Sequence, residues 1–295
     1  MTQSGTNLET EHWIETTAGP VHLREIGAPS GSPLLFVHGA LVDSHLWDGV
    51  AERTAALGYR CLLPTLPLGS HTRPMNPGAD LNPPALADLA AELVGHLGLR
   101  QVTLVGNDTG GGLSQILAAR HPDLVRTLVL TACDAYEQFP PRSLRAFFAL
   151  GRAPGVLALG GRLIRLRAAR RFAIPRPLSH RGPGDEVIAG WTRPLRDRRL
   201  RRDTVKFFAG IDASHTLAAA RQLRTFTGGA LLVWGADDRV FGLDLGRRLA
   251  ADIPGARLEV LDDCGAFVPV DAPDRVAGLI DEWVAGNDDG AGRLE

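Results

Sequence analysis

The residues with the clearest chemical potential lie in V-G-N-D-T-G-G-G, positions 105–112, where Asp108 stands between small residues. The apolar run VTLV leads into this segment, and the helix-forming GGLSQILAAR leaves it. Small residues two positions before and after a polar one are typical of a sharp strand-to-helix turn, which projects the central side chain beside a helix N-terminus. A plain turn or a phosphate loop is the alternative, but the lysine of a phosphate loop is missing. The segment predicts that Asp108 is a nucleophile or a general acid or base.

A sheet must position this turn, and the apolar runs of the chain predict one. They are LLFV (34–37), CLL (61–63), VTLV (102–105), TLVL (127–130), LLVW (231–234) and LEVL (258–261). Unbroken apolar strands that alternate with helices indicate an α/β fold, with a parallel sheet covered on both faces. Helices are predicted to begin near Ser44, Pro83, Gly110, Gly242 and Ala272. Two shorter runs, 11–17 and 21–27, predict a hairpin and bring the sheet to eight strands.

The alternation of strands and helices stops after Cys133 and resumes near Ala230. The segment between them has Pro-rich turns, Arg-rich stretches and no clear buried strand. It predicts a helical cap, residues 134–225, inserted after the sixth strand of a core formed by 1–133 and 226–295. Such a cap would cover the carboxyl ends of the strands, where open α/β sheets bind ligands. Its apolar residues are expected to line a cavity over Asp108: Phe147, Phe148, Leu150, Trp191, Phe207 and Phe208.

Three further motifs accompany the turn: FVHGALVDSHLW (36–47), PTLPLGSH (64–71) and VWGADD (233–238). Over 34–133 and 230–283 the chain resembles the α/β-hydrolase superfamily, specifically the branch with an Asp nucleophile that contains haloalkane dehalogenases and epoxide hydrolases. The resemblance implies an α/β-hydrolase fold with an eight-stranded, mostly parallel sheet. It implies that the backbone N–H groups of Ala40 and Thr109 are oxyanion donors. It also implies that Asp238 orients a histidine, with Asp237 as the alternative, and that His38 is structural.

The chain departs from this family where the catalytic histidine is expected. The family has a G-H-F-V-P-type sequence after the eighth strand, and here D-D-C-G-A-F-V-P-V-D (262–271) carries Ala266. In the resembling enzymes the aspartate forms an ester, which a histidine-activated water hydrolyses. General-base assistance contributes a factor of about 10²–10⁴ in rate, and alanine cannot supply it. Three explanations stay open: an engineered substitution that stalls the enzyme at the ester, a histidine from elsewhere, or a branch with other chemistry or with binding alone.

Several residues are candidates to complete the site. His71 follows the fourth strand, His215 lies where the cap returns to the core, and His45 begins a helix. Asp134, at the end of the sixth strand, would form an acid–base couple if it lay close to Asp108; otherwise it caps a turn. The residues predicted to line the substrate pocket are His71, Arg73, Trp47, Asp134 and Trp191.

The specialised relatives have side chains that this chain lacks. Haloalkane dehalogenases usually have Trp after the nucleophile and a halide donor after His-Gly, where this chain has Thr109 and Ala40. Epoxide hydrolases use two cap tyrosines, and the only tyrosines here are Tyr59 and Tyr136. We therefore predict an enzyme that acts on a small organic molecule with an atypical triad. The alternatives are a non-catalytic binding homologue, or an Asp-type hydrolase inactivated by His-to-Ala substitution at 266.

Composition bounds the partners. The formal net charge is −1, which gives no reason to expect nucleic acid. Residues 142–206, however, include 17 Arg or Lys residues and only four acidic residues. This excess of positive charge indicates either solvated helix faces or a lid that attracts an anionic substrate. Three cysteines without metal-ligand spacing predict a reduced, cytoplasmic protein with no metal or cofactor. The polar N-terminus argues against a signal peptide, and no run approaches the ~18 apolar residues of a membrane span. A homodimer is compatible with the sequence.

Overall fold

The computed structural model describes residues 9–163 and 178–291. Its strands are β1 (Glu9–Thr16), β2 (Gly19–Ile26), β3 (Pro33–Val37), β4 (Arg60–Thr65), β5 (Val102–Asp108), β6 (Val125–Cys133), β7 (Ala230–Gly235) and β8 (Arg257–Leu261). They form one sheet in the order β1-β2-β4-β3-β5-β6-β7-β8. β2 pairs antiparallel with β1 and β4, and the remaining neighbours are parallel. The predicted eight-stranded α/β architecture and its hairpin are confirmed.

Helices follow the strands as the sequence predicts. The described helices are α1 (Asp48–Ala56), α2 (Pro83–His96), α3 (Thr109–Arg120), α4 (Arg145–Gly151), α5 (Pro154–Leu163), α6 (Asp185–Thr192), α7 (Arg198–Gly210), α8 (Ala213–Leu223), α9 (Leu243–Asp252), α10 (Val268–Asp271) and α11 (Pro273–Ala291). α1 packs against α11, whereas α2 and α8 pack against α3. A 3₁₀ turn, Ser44–Trp47, precedes α1. No helix within the described ranges is long and apolar enough to cross a bilayer.

The central strands are buried along their whole length because both of their faces are covered. All seven residues of β5 are buried, including the polar Thr103 and Asn107. Continuous burial explains why the runs in the sequence are apolar without alternation. The carboxyl ends of β3, β5 and β6 therefore meet in the interior of the protein, where a charged side chain is shielded from solvent.

The segment between β6 and β7 carries helices α4 to α8, with residues 164–177 outside the described part. Phe148, Phe207 and Phe208 pack on one another, with ring centroids 4.7 and 5.5 Å apart. Phe147 and Leu150 are 47% and 62% exposed. The prediction that these five side chains line a cavity over Asp108 is therefore wrong for the two exposed residues, and the other three belong to the hydrophobic core that the rest of the protein shares.

The division into core and cap stays a prediction, but the contacts of α8 refine it. The hydroxyl of Thr216 in α8 donates to the carbonyl oxygen of Tyr136 at 2.6 Å. This helix packs along α3, which belongs to the sheet layer. We therefore favour a cap that ends before Ala213 rather than at residue 225.

Candidate functional site

Asp108 lies in the sharp turn that joins β5 to α3. Its backbone has φ 56° and ψ −131°, a conformation that residues other than glycine rarely adopt. The turn is as tight as the sequence predicts. A Cβ added to Gly110 would lie 2.5 Å from the carbonyl oxygen of His38 and closer still to that of Val37. The backbone of α3 therefore approaches β3 more closely than any side chain permits.

The carboxylate of Asp108 is enclosed by backbone. Asp108 is 8% exposed, and the N–H groups of Thr109 and Ala40 donate to its carboxylate. A Cβ on Gly39 would lie 2.7 Å from the Asp108 Cβ, so glycine is required there too. Burial raises the pKa of Asp108 to about 6 against the hydrogen bonds from Thr109, and the negative charge of Asp238 adds to the rise. Both predicted N–H donors thus point at this carboxylate.

Asp134 lies beside Asp108. Its N–H donates to the Asp108 carbonyl oxygen at 3.3 Å, and the Thr109 hydroxyl donates to its Oδ2 at 3.1 Å. Asp134 is 1% exposed, and its Oδ1 is buried without a partner among the described residues. Burial, followed by the charge of Asp108, raises the pKa of Asp134 well above its ordinary value. Thr109 thus binds both buried carboxyl groups, its N–H donating to Asp108 and its hydroxyl to Asp134, and the charge of Asp108 disfavours ionisation of Asp134.

Asp238, which follows β7, is the third buried carboxyl group of the candidate site, after Asp108 and Asp134. Its Oδ1 accepts hydrogen bonds from the N–H groups of Val240 and Phe241, at 2.8 and 3.2 Å. Within the part of the chain that the structure describes, its Oδ2 is buried without a partner. Burial raises the pKa of Asp238 to about 6. The side chain of Asp237 is 50% exposed and pairs with His180 at 3.3 Å, so Asp238 rather than Asp237 is the enclosed acid.

Ala266 is fully buried in a loop that other residues hold in place. The amide Nδ2 of Asn107, in β5, donates to the Ala266 carbonyl oxygen at 2.9 Å. The carboxylate of Asp271 accepts hydrogen bonds from the Gly265 N–H at 2.9 Å and the Ser179 hydroxyl at 2.6 Å. Asn107 and Ser179 were not identified from the sequence, because the residues that they bind in this loop are more than ninety positions away in the chain. The only local signal was for Asn107, an amide residue directly before Asp108.

Trp191, in the segment between β6 and β7, contacts this loop and the loop that follows β3. Trp191 is 3% exposed, and its ring lies edge-on to Phe267 at 6.4 Å. Its indole Nε1 donates to Asp43 at 2.7 Å, and its carbonyl oxygen accepts from the Ser70 hydroxyl at 2.8 Å. Trp191 therefore joins three loops that follow β3, β4 and β8. Asp43 was not identified from the sequence, although it lies within the motif FVHGALVDSHLW (36–47).

The histidines fall into different environments. His38 donates from Nδ1 to the Gly39 carbonyl oxygen and accepts the Leu66 N–H at Nε2, both at 2.9 Å. Burial lowers the pKa of His38 to about 4, so it is a neutral residue that ties two loops together, as expected. His71 is 4% exposed and lies 3.4 Å from Asp203.

Two of the residues predicted to line the pocket make contacts with other aromatic residues. The guanidinium of Arg73 is exposed and stacks 3.9 Å from the Trp13 ring of β1, because that aromatic face attracts it away from the interior. Trp47 is fully buried against Phe36, with ring centroids 5.2 Å apart, so it is a core residue. The assignment of both residues to a substrate pocket stays a prediction.

The two other candidate replacement histidines have different surroundings. His215 lines a surface hollow of about 310 Å³ with Ile116 and Arg120. His45 is 48% exposed and binds Asp43, which raises its pKa. An enclosed cavity over Asp108 stays a prediction.

Comparisons with known proteins agree with this architecture. Residues 32–273 match the family model for the alpha/beta hydrolase fold, so the chain belongs to that family. Haloalkane dehalogenase 2 of Mycobacterium tuberculosis is 29% identical over 276 residues, which are 92% of this chain and 93% of that protein. The 2-hydroxymuconate semialdehyde hydrolase of Pseudomonas putida is 30% identical over 196 residues, 64% of each chain.

Solved structures show the same fold. Haloalkane dehalogenase DbeA from Bradyrhizobium elkani superposes with a TM-score of 0.78 at 22% identity, covering 96% of this chain and 100% of that one. A 2-hydroxy-6-oxo-6-phenylhexa-2,4-dienoate hydrolase from Rhodococcus gives a TM-score of 0.78 at 19% identity, with 95% and 100% covered. At these identities the likeness concerns the fold alone. The relatives are named as hydrolases or dehalogenases, so the chain has the fold of hydrolytic enzymes.

Proposed function

We propose that the protein is an enzyme that acts on a small organic molecule beneath its cap, with Asp108 as the nucleophile. The observation that carries this proposal is the carboxylate of Asp108, buried in a strained turn and held by the N–H groups of Thr109 and Ala40. Donors fixed on the backbone orient a carboxylate before the substrate arrives, so little reorganisation is needed during the reaction. Strain and burial of this kind are costly and concentrate at functional sites.

The proposed first step forms an ester. An oxygen of Asp108 attacks an electrophilic carbon, and the bond from that carbon to its leaving group breaks. The leaving group takes the electron pair, and the substrate carbon stays attached to Asp108. The charge of Asp108 disappears in this step, so the repulsion that raises the pKa of Asp134 disappears with it. Water must then cleave the ester, and the alanine at 266, in the position proposed for the family's histidine, cannot activate it.

The side chains around Asp108 narrow the substrate class. The Thr109 hydroxyl is engaged by Asp134, and Ala40 has no donor in its side chain. The hydroxyls of Tyr59 and Tyr136, the two tyrosines of the chain, donate to aspartates elsewhere. We therefore propose a substrate that needs neither a halide site nor a pair of tyrosines, rather than a haloalkane or epoxide specialist.

A second candidate is acid–base chemistry without an ester. The raised pKa values of Asp108 and Asp134 favour it, because a carboxyl group with a pKa of about 6 both accepts and donates protons near neutral pH. In this reaction Asp108 would take a proton from the substrate, and the neighbouring carboxyl group would return one. The product would differ from the substrate without addition of water.

The test uses wild type and Asp108→Asn with 1-iodohexane, styrene oxide and p-nitrophenyl acetate as probes. We expect wild type to convert at least one probe, and Asp108→Asn to lose about 10³-fold or more of that activity, as removal of a nucleophile does. Intact-protein mass spectrometry distinguishes an ester on Asp108 from acid–base catalysis. Asp262→Asn, an exposed neighbour of the Ala266 loop, is the matched control and should be fully active.

Each other outcome has a meaning. Full activity in Asp108→Asn contradicts every catalytic role of this residue. Binding of the probes by both proteins without conversion favours the alternative of a non-catalytic homologue. A stable ester in wild type, with no release of product, favours a hydrolase inactivated at position 266.

A further inference from the structure

Helices α4 and α5 present large apolar side chains to solvent. Within the described ranges, seven large hydrophobic residues are exposed, and five of them lie in helices α4 and α5. These five are between 43% and 62% exposed: Phe147, Leu150, Val156, Leu159 and Leu163. Soluble monomers rarely expose contiguous apolar surface, and where they do it marks a site at which a partner or a membrane binds.

The spacing of the five residues places them on one side of each helix. Phe147 and Leu150 are three positions apart in α4, and Val156, Leu159 and Leu163 recur in α5 at the three- and four-residue intervals of one helical face. The two helices contact each other, and both contact α7. The two stripes therefore form one area, which we call the α4–α5 surface.

The other sides of both helices are already packed against the protein. The ring of Phe148 lies 4.7 Å from that of Phe208 in α7, between centroids, and Leu157 is 4% exposed in the same hydrophobic core. A Cβ added to Gly161 would lie 3.1 Å from the side chain of Leu195. These contacts fix α4 and α5 from within, so substitutions on the exposed surface are compatible with folding.

Arginines accompany the exposed apolar side chains. Arg145 and Arg162 lie in the two helices, Arg152 directly follows α4, and all three are exposed. Over residues 138–184 the sequence has ten arginines and no aspartate or glutamate. The surface thus combines apolar area with positive charge, and no acidic residue of its own segment offsets that charge.

The contacts of two of these arginines leave their charge available. A guanidinium N–H of Arg145 donates to the carbonyl oxygen of Glu137 at 3.1 Å, and Nε of Arg152 donates to that of Phe208 at 3.3 Å. A carbonyl oxygen carries no net charge, so neither contact neutralises a guanidinium. Each bond uses one of the five N–H donors of the group, and the others can bind anionic oxygens in pairs. A partner of this surface is therefore expected to be anionic.

We propose that the α4–α5 surface docks the protein on an anionic membrane surface. The apolar side chains would enter the boundary between headgroups and acyl chains, and the arginines would bind lipid phosphates. Arginine suits this position because its methylene stem lies with apolar groups while its guanidinium reaches the headgroups. A lipid surface requires apolar area and positive charge on one face without a groove of fixed shape, and these two short helices provide both.

Charge disfavours a second copy of the chain as the partner. In a symmetric dimer the same surface meets itself, so Arg145, Arg152 and Arg162 of one copy would lie opposite those of the other. Like charges across an interface cost free energy. The inference is independent of the reaction proposed for Asp108, because it assigns no residue of the candidate site.

The test is flotation of the full-length protein with vesicles of phosphatidylcholine, alone or mixed with phosphatidylglycerol. We expect strong binding only to the mixed vesicles, and weaker binding at high salt, which screens the charges. Arg145→Glu combined with Arg162→Glu should weaken binding about 20-fold or more, since each arginine near such a surface contributes about fivefold. Leu150→Asp combined with Leu159→Asp should weaken it about 10-fold or more, through lost apolar burial.

Matched controls come from the other end of the sheet. Leu57 and Arg100 are exposed and precede β4 and β5, at the amino ends of the strands. Leu57→Asp and Arg100→Glu should bind like wild type. In Leu159→Trp, the tryptophan emission should shift to the blue when mixed vesicles are added, and in Leu57→Trp it should not. This shift tests docking even if a charged variant is destabilised, which circular dichroism detects.

Four outcomes would overturn the inference. The first is that wild type binds neither kind of vesicle, and the second is that the variants of the α4–α5 surface bind as well as wild type. The third is a dimer in solution that Leu159→Asp dissociates, without vesicle binding, which assigns the surface to a second copy. The fourth is binding that needs the arginines but not the leucines, which indicates an acidic partner. In none of these cases is turnover of the three probes in solution affected, so the proposed function is tested separately.

Discussion

The turn at 105–112 and the loop at 262–271 are built in different ways, although Asn107 joins them directly. The turn is held by steric fit: Gly110 lies against β3 and Asp108 has a positive φ. The loop is held by hydrogen bonds to one carboxylate, Asp271, from four partners: Ser179, His180, Arg181 and Gly265. In the turn, Asp108 itself is one of the residues that fix the backbone conformation. In the loop the framework is independent of residue 266.

This difference explains how the loop can keep its shape with alanine at its centre. Neither the side chain of Ala266 nor its size is used by the bonds that fix the loop. Its carbonyl oxygen receives Asn107, and any residue would supply that acceptor. A change of chemistry at position 266 therefore costs little stability, whereas a change in the turn costs much. The next three predictions test this contrast.

The largest effect is expected in the turn. Gly110→Ala places a methyl group against the carbonyl oxygens of Val37 and His38, so the backbone of α3 must move away from β3. We expect a loss of about 3 kcal/mol or more in the free energy of unfolding, because overpacking at a backbone contact has no side chain that can yield. Urea unfolding measures it. Gly278→Ala in α11, where the added Cβ meets nothing within 4 Å, is the control and should gain up to about 1 kcal/mol. Equal effects at both sites would contradict the steric account.

A smaller effect is expected for the charge in the turn. The pKa of Asp108 is raised from 3.8 to about 6, so the folded protein keeps this proton more firmly than the unfolded chain. The raised pKa of Asp108 therefore contributes stability to the folded protein. This contribution is fully present below about pH 3.8 and is lost as the pH rises through about 6. Asp108→Asn should therefore unfold like wild type near pH 4, and should be more stable by about 3 kcal/mol at pH 8.

Thermal unfolding of wild type and Asp108→Asn across this range measures the effect. Asp262→Asn, at an exposed position, should show no such dependence. If Asp108→Asn is instead the less stable protein at pH 8, the N–H donors of Thr109 and Ala40 outweigh the cost of burial.

The smallest effect is expected in the loop. In Ala266→His the larger side chain crowds a fully buried position, at a cost of about 1–3 kcal/mol. A new hydrogen bond to Oδ2 of Asp238, which has no partner in residues 9–163 and 178–291, offsets about 1 kcal/mol. We expect a net loss of about 1 kcal/mol and no gain of hydrolysis on the three probes. Ala266→Leu crowds the same position without the hydrogen bond and should lose more. Rapid hydrolysis by Ala266→His would show that the chain is a disabled hydrolase.

Local sequence patterns predicted the parts of this protein that depend on neighbouring residues. Unbroken apolar runs identified the buried strands, because parallel strands bury both faces. The small residues around Asp108 identified the sharp turn, because a Cβ at Gly110 has no space. The contacts of Arg73 with Trp13 and of Trp47 with Phe36 were not predicted, since position in a loop does not determine where a long or aromatic side chain points.

Only the tertiary structure decided which distant residues meet. His71 and Asp203 are 132 residues apart, and Trp191 and Asp43 are 148 apart. Asp203 is the single acid of an Arg-rich helix, which marks it as unusual but does not name its partner. Contacts of this kind arise from how α7 docks on the core, and no periodicity within a segment encodes that geometry. The sequence by itself determined the sheet, the turn and the identity of the carboxylate within it. The surroundings of that carboxylate, including which histidine lies beside an acid, follow from the packing of segments far apart in the chain.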